Sequence, residues 1–102
     1  MMSGPVISVV MGSFNQQPIL KKVLDGYNEQ QTSLPFEVIV VDSSSTDGTS
    51  ALFESFQANF QFTPIVQENK GKAAARNRGV RDAKSEIIVI TDSDMIPDLG
   101  FI

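Results

Sequence analysis

Ile87-Ile88-Val89-Ile90-Thr91-Asp92-Ser93-Asp94 runs from five consecutive β-branched residues, four of them apolar, into two carboxylates. A short apolar run of this kind, bounded by polar residues, predicts a strand buried on both faces, spanning Glu86 to Thr91. Asp92 and Asp94 would then leave its carboxyl end, the edge where open parallel sheets gather their ligands. Two carboxylates at i and i+2 on such a loop can reach one cation, and hard divalent ions take oxygens of this type. A bare Asp-x-Asp is equally an ordinary polar turn, so the rest of the chain has to decide between the two.

Outward from this stretch the pattern alternates. Val6 to Met11 is an apolar, partly β-branched run between Gly4-Pro5 and Gly12-Ser13, and it predicts a first strand. Pro18 suits a first helical turn, with Ile19, Leu20, Val23, Leu24 and Tyr27 following at helical spacing. Phe36 to Val41 predicts a second strand that ends on another acid, Asp42. The polar turn from Ser43 to Thr49 offers several side-chain helix caps, and the helix after it would bury Leu52, Phe53, Phe56 and Phe60. Phe62 to Gln67 predicts a third strand, and Pro64 confines it to a sheet edge. A third helix runs from Gly71 to Ala83, with Ala73, Ala74, Asn77, Val80 and Ala83 as a small-residue stripe for packing on the sheet.

Strand and helix in strict alternation specify an α/β fold, a mainly parallel open sheet with helices on both faces. The expected strand order is 3-2-1-4, which reverses direction between the first and fourth strands and opens a crevice there. Ser13, Phe14 and Asn15, then Asp42, then Asp92 to Asp94 would line it together.

With 102 residues the chain fits one domain. It contains neither cysteine nor histidine. Disulfides, thiolate metal sites and histidine-based nucleophilic triads are therefore excluded, and a metal would have to take oxygen ligands, as Mg²⁺, Mn²⁺ or Ca²⁺ do. A net charge of −4 argues against nucleic acid as partner. Yet six of the eight basic residues (Lys70, Lys72, Arg76, Arg78, Arg81 and Lys84) crowd into one segment, where a basic helix beside an acidic strand end suits an anion bridged by a metal. The amino terminus shows no leader pattern, so a cytoplasmic location is expected, with peripheral membrane association open to a longer form.

Four blocks together carry a resemblance: Val9 to Asn15, Val40 to Thr49, Asn69 to Gly79 and Thr91 to Asp94. In order and spacing they resemble the amino-terminal portion of a family 2 glycosyltransferase of GT-A fold, a nucleotide-diphospho-sugar transferase. The resemblance implies a nucleotide-sugar donor bound with Mn²⁺ or Mg²⁺. Phe14 would stack on the base, beside Gly12, Ser13 and Asn15 and near Asp42 and Ser43. Asn69, Gly71 and Arg76 would border the nucleotide, with a plain salt bridge from Arg76 to Asp42 or Asp92 as the alternative. Asp94 would coordinate the metal most directly, with Asp92 either closer to the ribose or bound to the metal through water, and Ser93 beside them at the donor.

The sequence departs from the family in placing Ser43 where many relatives carry a second acid, which leaves the base unspecified. The chain also stops at Ile102, before the family's acceptor-binding part and the carboxylate that serves inverting members as general base, so no residue here is assigned a catalytic role. The resemblance thus implies a donor-nucleotide-binding half that binds donor weakly and transfers nothing alone. Its acceptor would be a saccharide, a lipid-linked saccharide or a protein, and its open sheet edge invites self-association. Competing readings are a non-catalytic module of the same fold and a haloacid-dehalogenase-like phosphotransferase, although the latter carries its Asp-x-Asp on the first strand. No Gly-x-Gly-x-x-Gly follows the first strand, and no Walker phosphate loop is present.

Overall fold

The computed structural model describes residues 4–102. Met1, Met2 and Ser3, part of the terminus read for a leader, lie outside the described residues. Seven elements follow in the predicted order: β1 (Ile7–Ser13), α1 (Gln17–Asn28), β2 (Phe36–Asp42), α2 (Thr49–Ser55), β3 (Gln61–Val66), α3 (Lys72–Asp82) and β4 (Ile87–Ile90). The four strands form one sheet in the order β3-β2-β1-β4. All its pairings are parallel, as the continuous apolar strands require. Pro64 does fall on the edge strand β3, opposite Val40.

Strand periodicity divides the core in two. Val9, Met11, Val38 and Val40 face one side and pack with Leu20, Val23, Leu24 and Tyr27 of α1 and Leu52 of α2. Val10, Ile39 and Val41 face the other side and meet Ala75 of α3. Each fully buried valine, leucine or isoleucine contributes about 1.5–3 kcal/mol, and β2, buried along its whole length, is the central plank. Around Tyr27 the aromatic rings form a second layer, with Phe36 and Phe60 stacked at 5.3 Å and Tyr27 edge-on to Phe60 at 6.4 Å. Burial pushes the Tyr27 phenol up to about 12, so it stays neutral at physiological pH.

The structure corrects several local expectations. α2 ends at Ser55, so Phe56 and Phe60 reach the core from the loop that follows and not from the helix. No side chain caps α2 or α3; each begins at a glycine of positive φ, Gly48 at 94° and Gly71 at 93°, a backbone state that glycine adopts without strain. The sheet-facing stripe of α3 is Ala75 and Gly79, with Ala83 beyond them, whereas Ala73, Asn77 and Val80 point to solvent. The principle of small residues held, but its phase was wrong. A Cβ on Gly79 would lie 2.4 Å from Val10 Cγ1, so the helix sits as close to β1 as glycine permits.

Among the described residues β4 pairs with β1 alone, and Ile87 and Ile90 are exposed. Beyond it the chain returns across α1, where Pro97 packs over Gly26 and Phe101 meets Tyr27 edge-on at 6.1 Å. Among the described residues no helix is long and apolar enough to cross a membrane.

Candidate donor site at the carboxyl edge of the sheet

The direction of the sheet reverses between β1 and β4, and the loops leaving β1, β2 and β4 converge at this point. Ser13 and Asp42 are register partners at the last rung of the β1–β2 ladder. Ser13 Oγ donates to Asp42 Oδ1 at 2.7 Å, Ser45 Oγ donates to the same oxygen at 2.6 Å, and the Ser45 N–H donates to Oδ2 at 2.8 Å. The Asp42 carboxylate is thus buried and ties two loops together. Asn15 adds to that tie from a left-handed conformation, φ 52°, which asparagine tolerates better than most residues. Its N–H donates to Ser45 Oγ and its Oδ1 accepts from the Thr46 N–H, both at 2.8 Å. Between these anchors Phe14 stands 48% exposed.

A further tie joins the two loops at Asp47, whose Oδ2 accepts from the Gln17 N–H at 2.9 Å and Oδ1 from Thr49 Oγ1 at 2.6 Å. The Thr49 hydroxyl foremost, and then the Gln17 N–H, hold the Asp47 carboxyl below its ordinary 3.8.

The two acids after β4 stand in different surroundings. Asp92 Oδ1 accepts from Arg76 Nη2 of α3 at 2.8 Å, with both side chains well exposed. An exposed pair of this kind adds at most about 1 kcal/mol to stability, so its effect is to place Asp92. Asp94 is exposed and has no ion-pair partner among the described residues. Between them Ser93 is only 3% exposed, and its hydroxyl donates to Gln16 Oε1.

A cavity of about 370 Å³ opens over this edge, lined by Gly12, Ser13, Phe14, Gln16, Ser43, Asn69, Gly71, Lys72, Asp92, Ser93 and Asp94. Most of the residues expected from sequence are therefore assembled on one wall. Asn15, Asp42 and Arg76 are exceptions: none lines the cavity, and each instead holds a residue that does or the loop carrying it. Arg76 forms the salt bridge, with Asp92 and not Asp42 as its partner. Gln16 and Lys72 line the cavity without having been expected there. Lys72 opens α3, so it brings its charge and the positive end of the helix dipole to the same wall. Gly12 lets that wall form, since a Cβ there would come within 3.2 Å of Ala75 Cβ.

The donor set can be tested against a metal on chemical grounds. Among the described residues no group of three or more acidic, histidine or cysteine side chains could enclose an ion. Asp94, with the free oxygen of Asp92, is instead the partial set that Mg²⁺ and Mn²⁺ accept when substrate phosphates complete the shell. The residues fit such an ion in that mode.

The sequence profile of Glycosyl transferase family 2 matches residues 8–102. An uncharacterized glycosyltransferase of Bacillus subtilis, YfnE, is 43% identical over 91 residues, which cover 87% of this chain and 23% of that protein. Among solved structures, the mannosyltransferase PcManGT from Pyrobaculum calidifontis, in complex with GDP-Man and Mn²⁺, superposes with a TM-score of 0.80 at 35% identity, covering 94% of this chain and 29% of that one. TarS 1-349 from S. aureus, in complex with UDP-GlcNAc, superposes with a TM-score of 0.81 at 25% identity, covering 92% of this chain and 28% of that one. The chain thus spans less than a third of each of these proteins. Its fold matches those of the two solved structures along nearly its whole length, and with the profile match this shows that the chain belongs to glycosyltransferase family 2.

Proposed function

We propose that the carboxyl edge of this sheet binds a nucleotide-diphospho-sugar together with Mn²⁺ or Mg²⁺, as the donor half of an inverting, metal-dependent glycosyltransferase. The observation that carries the reading is one open cavity in which an exposed aromatic ring, a helix amino terminus with its lysine, and an unpaired carboxylate face the same space. Phe14 presents a ring on which a base can stack. Gly71 and Lys72 offer positive potential to a diphosphate. Asp94 holds the metal and Asp92, restrained by Arg76, faces the ribose. When bound, the divalent ion neutralises charge that develops on the leaving diphosphate as the sugar bond breaks.

In this reading Asp42 acts from beneath the site, by shaping the loop that carries Phe14. PcManGT with GDP-Man and Mn²⁺ and TarS with UDP-GlcNAc support the ligand class, and Ser43 on the wall leaves either base open. The acceptor is a saccharide, a lipid-linked saccharide or a protein, and no residue of this chain is assigned as general base. We assign the protein to the cytoplasm, and the exposed edge of β4 to self-association when nothing else covers it.

Calorimetric titration of the chain with UDP, GDP and dTDP, each in Mn²⁺ and in EDTA, tests the proposal. Binding of one nucleotide that weakens on chelation is expected. A folded chain that binds none of them in Mn²⁺ would refute it.

A further inference from the structure

We infer that Gln16 is a positioning residue for the metal loop, holding Ser93 so that Asp94 faces the cavity. The inference rests on the donor-site reading for its ligand and on independent geometry for its mechanics.

Ser93 is the anomaly from which it starts. Asp92, Asp94 and Met95 are exposed, yet the serine between the acids is 3% exposed. A hydroxyl that buried needs a partner, and its partner is the side-chain carbonyl of Gln16, 77 residues away in sequence. Gln16 is itself well anchored. Its backbone carbonyl accepts from the Leu20 N–H at 2.8 Å as the first bond of α1. Its neighbours on both sides are hydrogen-bonded to the loop after β2.

The loop after β4 is thereby fixed at every point except one. The Thr91 N–H donates to the Val10 carbonyl at 3.0 Å, Asp92 is held by Arg76, Ser93 by Gln16, and the Met95 N–H closes a turn on the Asp92 carbonyl at 3.2 Å. Of the two acids in this turn, Asp94 is the one whose carboxylate has no hydrogen-bond or ion-pair partner among the described residues. An ion that draws few ligands from the protein depends strongly on how those ligands are held, and loss of an outer-shell partner typically costs about 10–100-fold in metal affinity. Gln16 acts one bond further out, through Ser93 between the two acids, and from the β1–α1 loop, which also carries Phe14. The base-binding and metal-binding loops are therefore joined through one side chain.

A double-mutant cycle on the full chain tests this, using Gln16→Met, which keeps the length and removes the acceptor, Ser93→Ala, and the pair. Two readouts are taken: nucleotide affinity in Mn²⁺ by calorimetry, and amide hydrogen exchange at residues 93–95 without metal. Each single variant should weaken Mn²⁺-dependent affinity about 10-fold and speed exchange in the loop, and the pair should do no worse than either alone. Independent, additive effects, or wild-type exchange in Gln16→Met, would overturn the inference. Should the wild type bind no nucleotide, the donor-site reading fails, and the exchange data still decide whether Gln16 holds the loop.

Discussion

β2 carries two buried carboxylates five residues apart, and they sit at opposite ends and on opposite faces of the sheet. At the amino end Glu37 is fully buried. Its Oε2 accepts from Ser8 Oγ at 2.5 Å and from the Lys84 N–H at 2.7 Å, while Oε1 has no partner among the described residues. At the carboxyl end Asp42 uses both oxygens, and the groups it accepts from belong to loops that border an open cavity. Glu37 pins the connection from α3 to β4 in a closed place, so its work is finished once the chain has folded. Asp42 keeps two loops in register above the sheet, so its work shows in what those loops can hold. Burial alone does not distinguish a structural acid from a functional one; the difference lies in what its partners border.

Substitutions at the two ends sharpen the contrast. Glu37→Ala removes the acceptor for a partly buried backbone N–H and a buried hydroxyl and leaves a void. It should cost about 3 kcal/mol of stability in chemical denaturation, while the folded fraction keeps its nucleotide affinity. Asp42→Ala should cost less, about 1–2 kcal/mol, because Ser13 borders the cavity and Ser45 is partly exposed, so both hydroxyls can turn toward water. Its nucleotide affinity should nevertheless fall in Mn²⁺ and EDTA alike, since the Phe14 loop is loosened whether or not metal is present. The contrast would break if Glu37→Ala lost affinity while Asp42→Ala lost only stability.

A smaller effect belongs to Asp47. Its carboxyl is lowered in the folded state, so its contribution is fully present above the ordinary value of 3.8 and is lost as pH falls through the lowered folded value. Melting temperatures of wild type and Asp47→Asn should differ by a constant amount above pH 3.8 and converge below it. Parallel curves throughout the acid range would mean that Thr49 and Gln17 do not stabilise the ionised form.

Legibility from sequence followed the range of the interaction. The β-branched runs of β2 and β4 and the apolar spacing of α1 are local, and they sufficed for the strand order and for a crevice at the reversal point. α3 gave its existence but not its facing, because Ala73, Ala74 and Ala75 are consecutive and equivalent in size. The close approach of Gly79 to Val10, with Ala75 packed in the same cluster, sets the rotation of the helix. Gln16 was invisible for a related reason: its meaning lies in Ser93, and no spacing rule joins two loops so distant in sequence. Asp42 was placed at the right strand end but on the ligand side of it. A strand-end acid marks the edge where ligands collect, whereas its orientation is decided by Ser13 and Ser45, which reach it first.

The central claim is that Asp94 supplies the site's metal-binding carboxylate, and titration of wild type and Asp94→Asn with nucleotide, in Mn²⁺ and in EDTA, tests it most directly. Wild-type affinity should fall on chelation. Asp94→Asn should be weak in both conditions, roughly 100-fold below wild type in Mn²⁺, with its melting temperature unchanged because Asp94 bears on no other group. An Asp94→Asn chain that retained the full Mn²⁺-dependent gain would contradict the account.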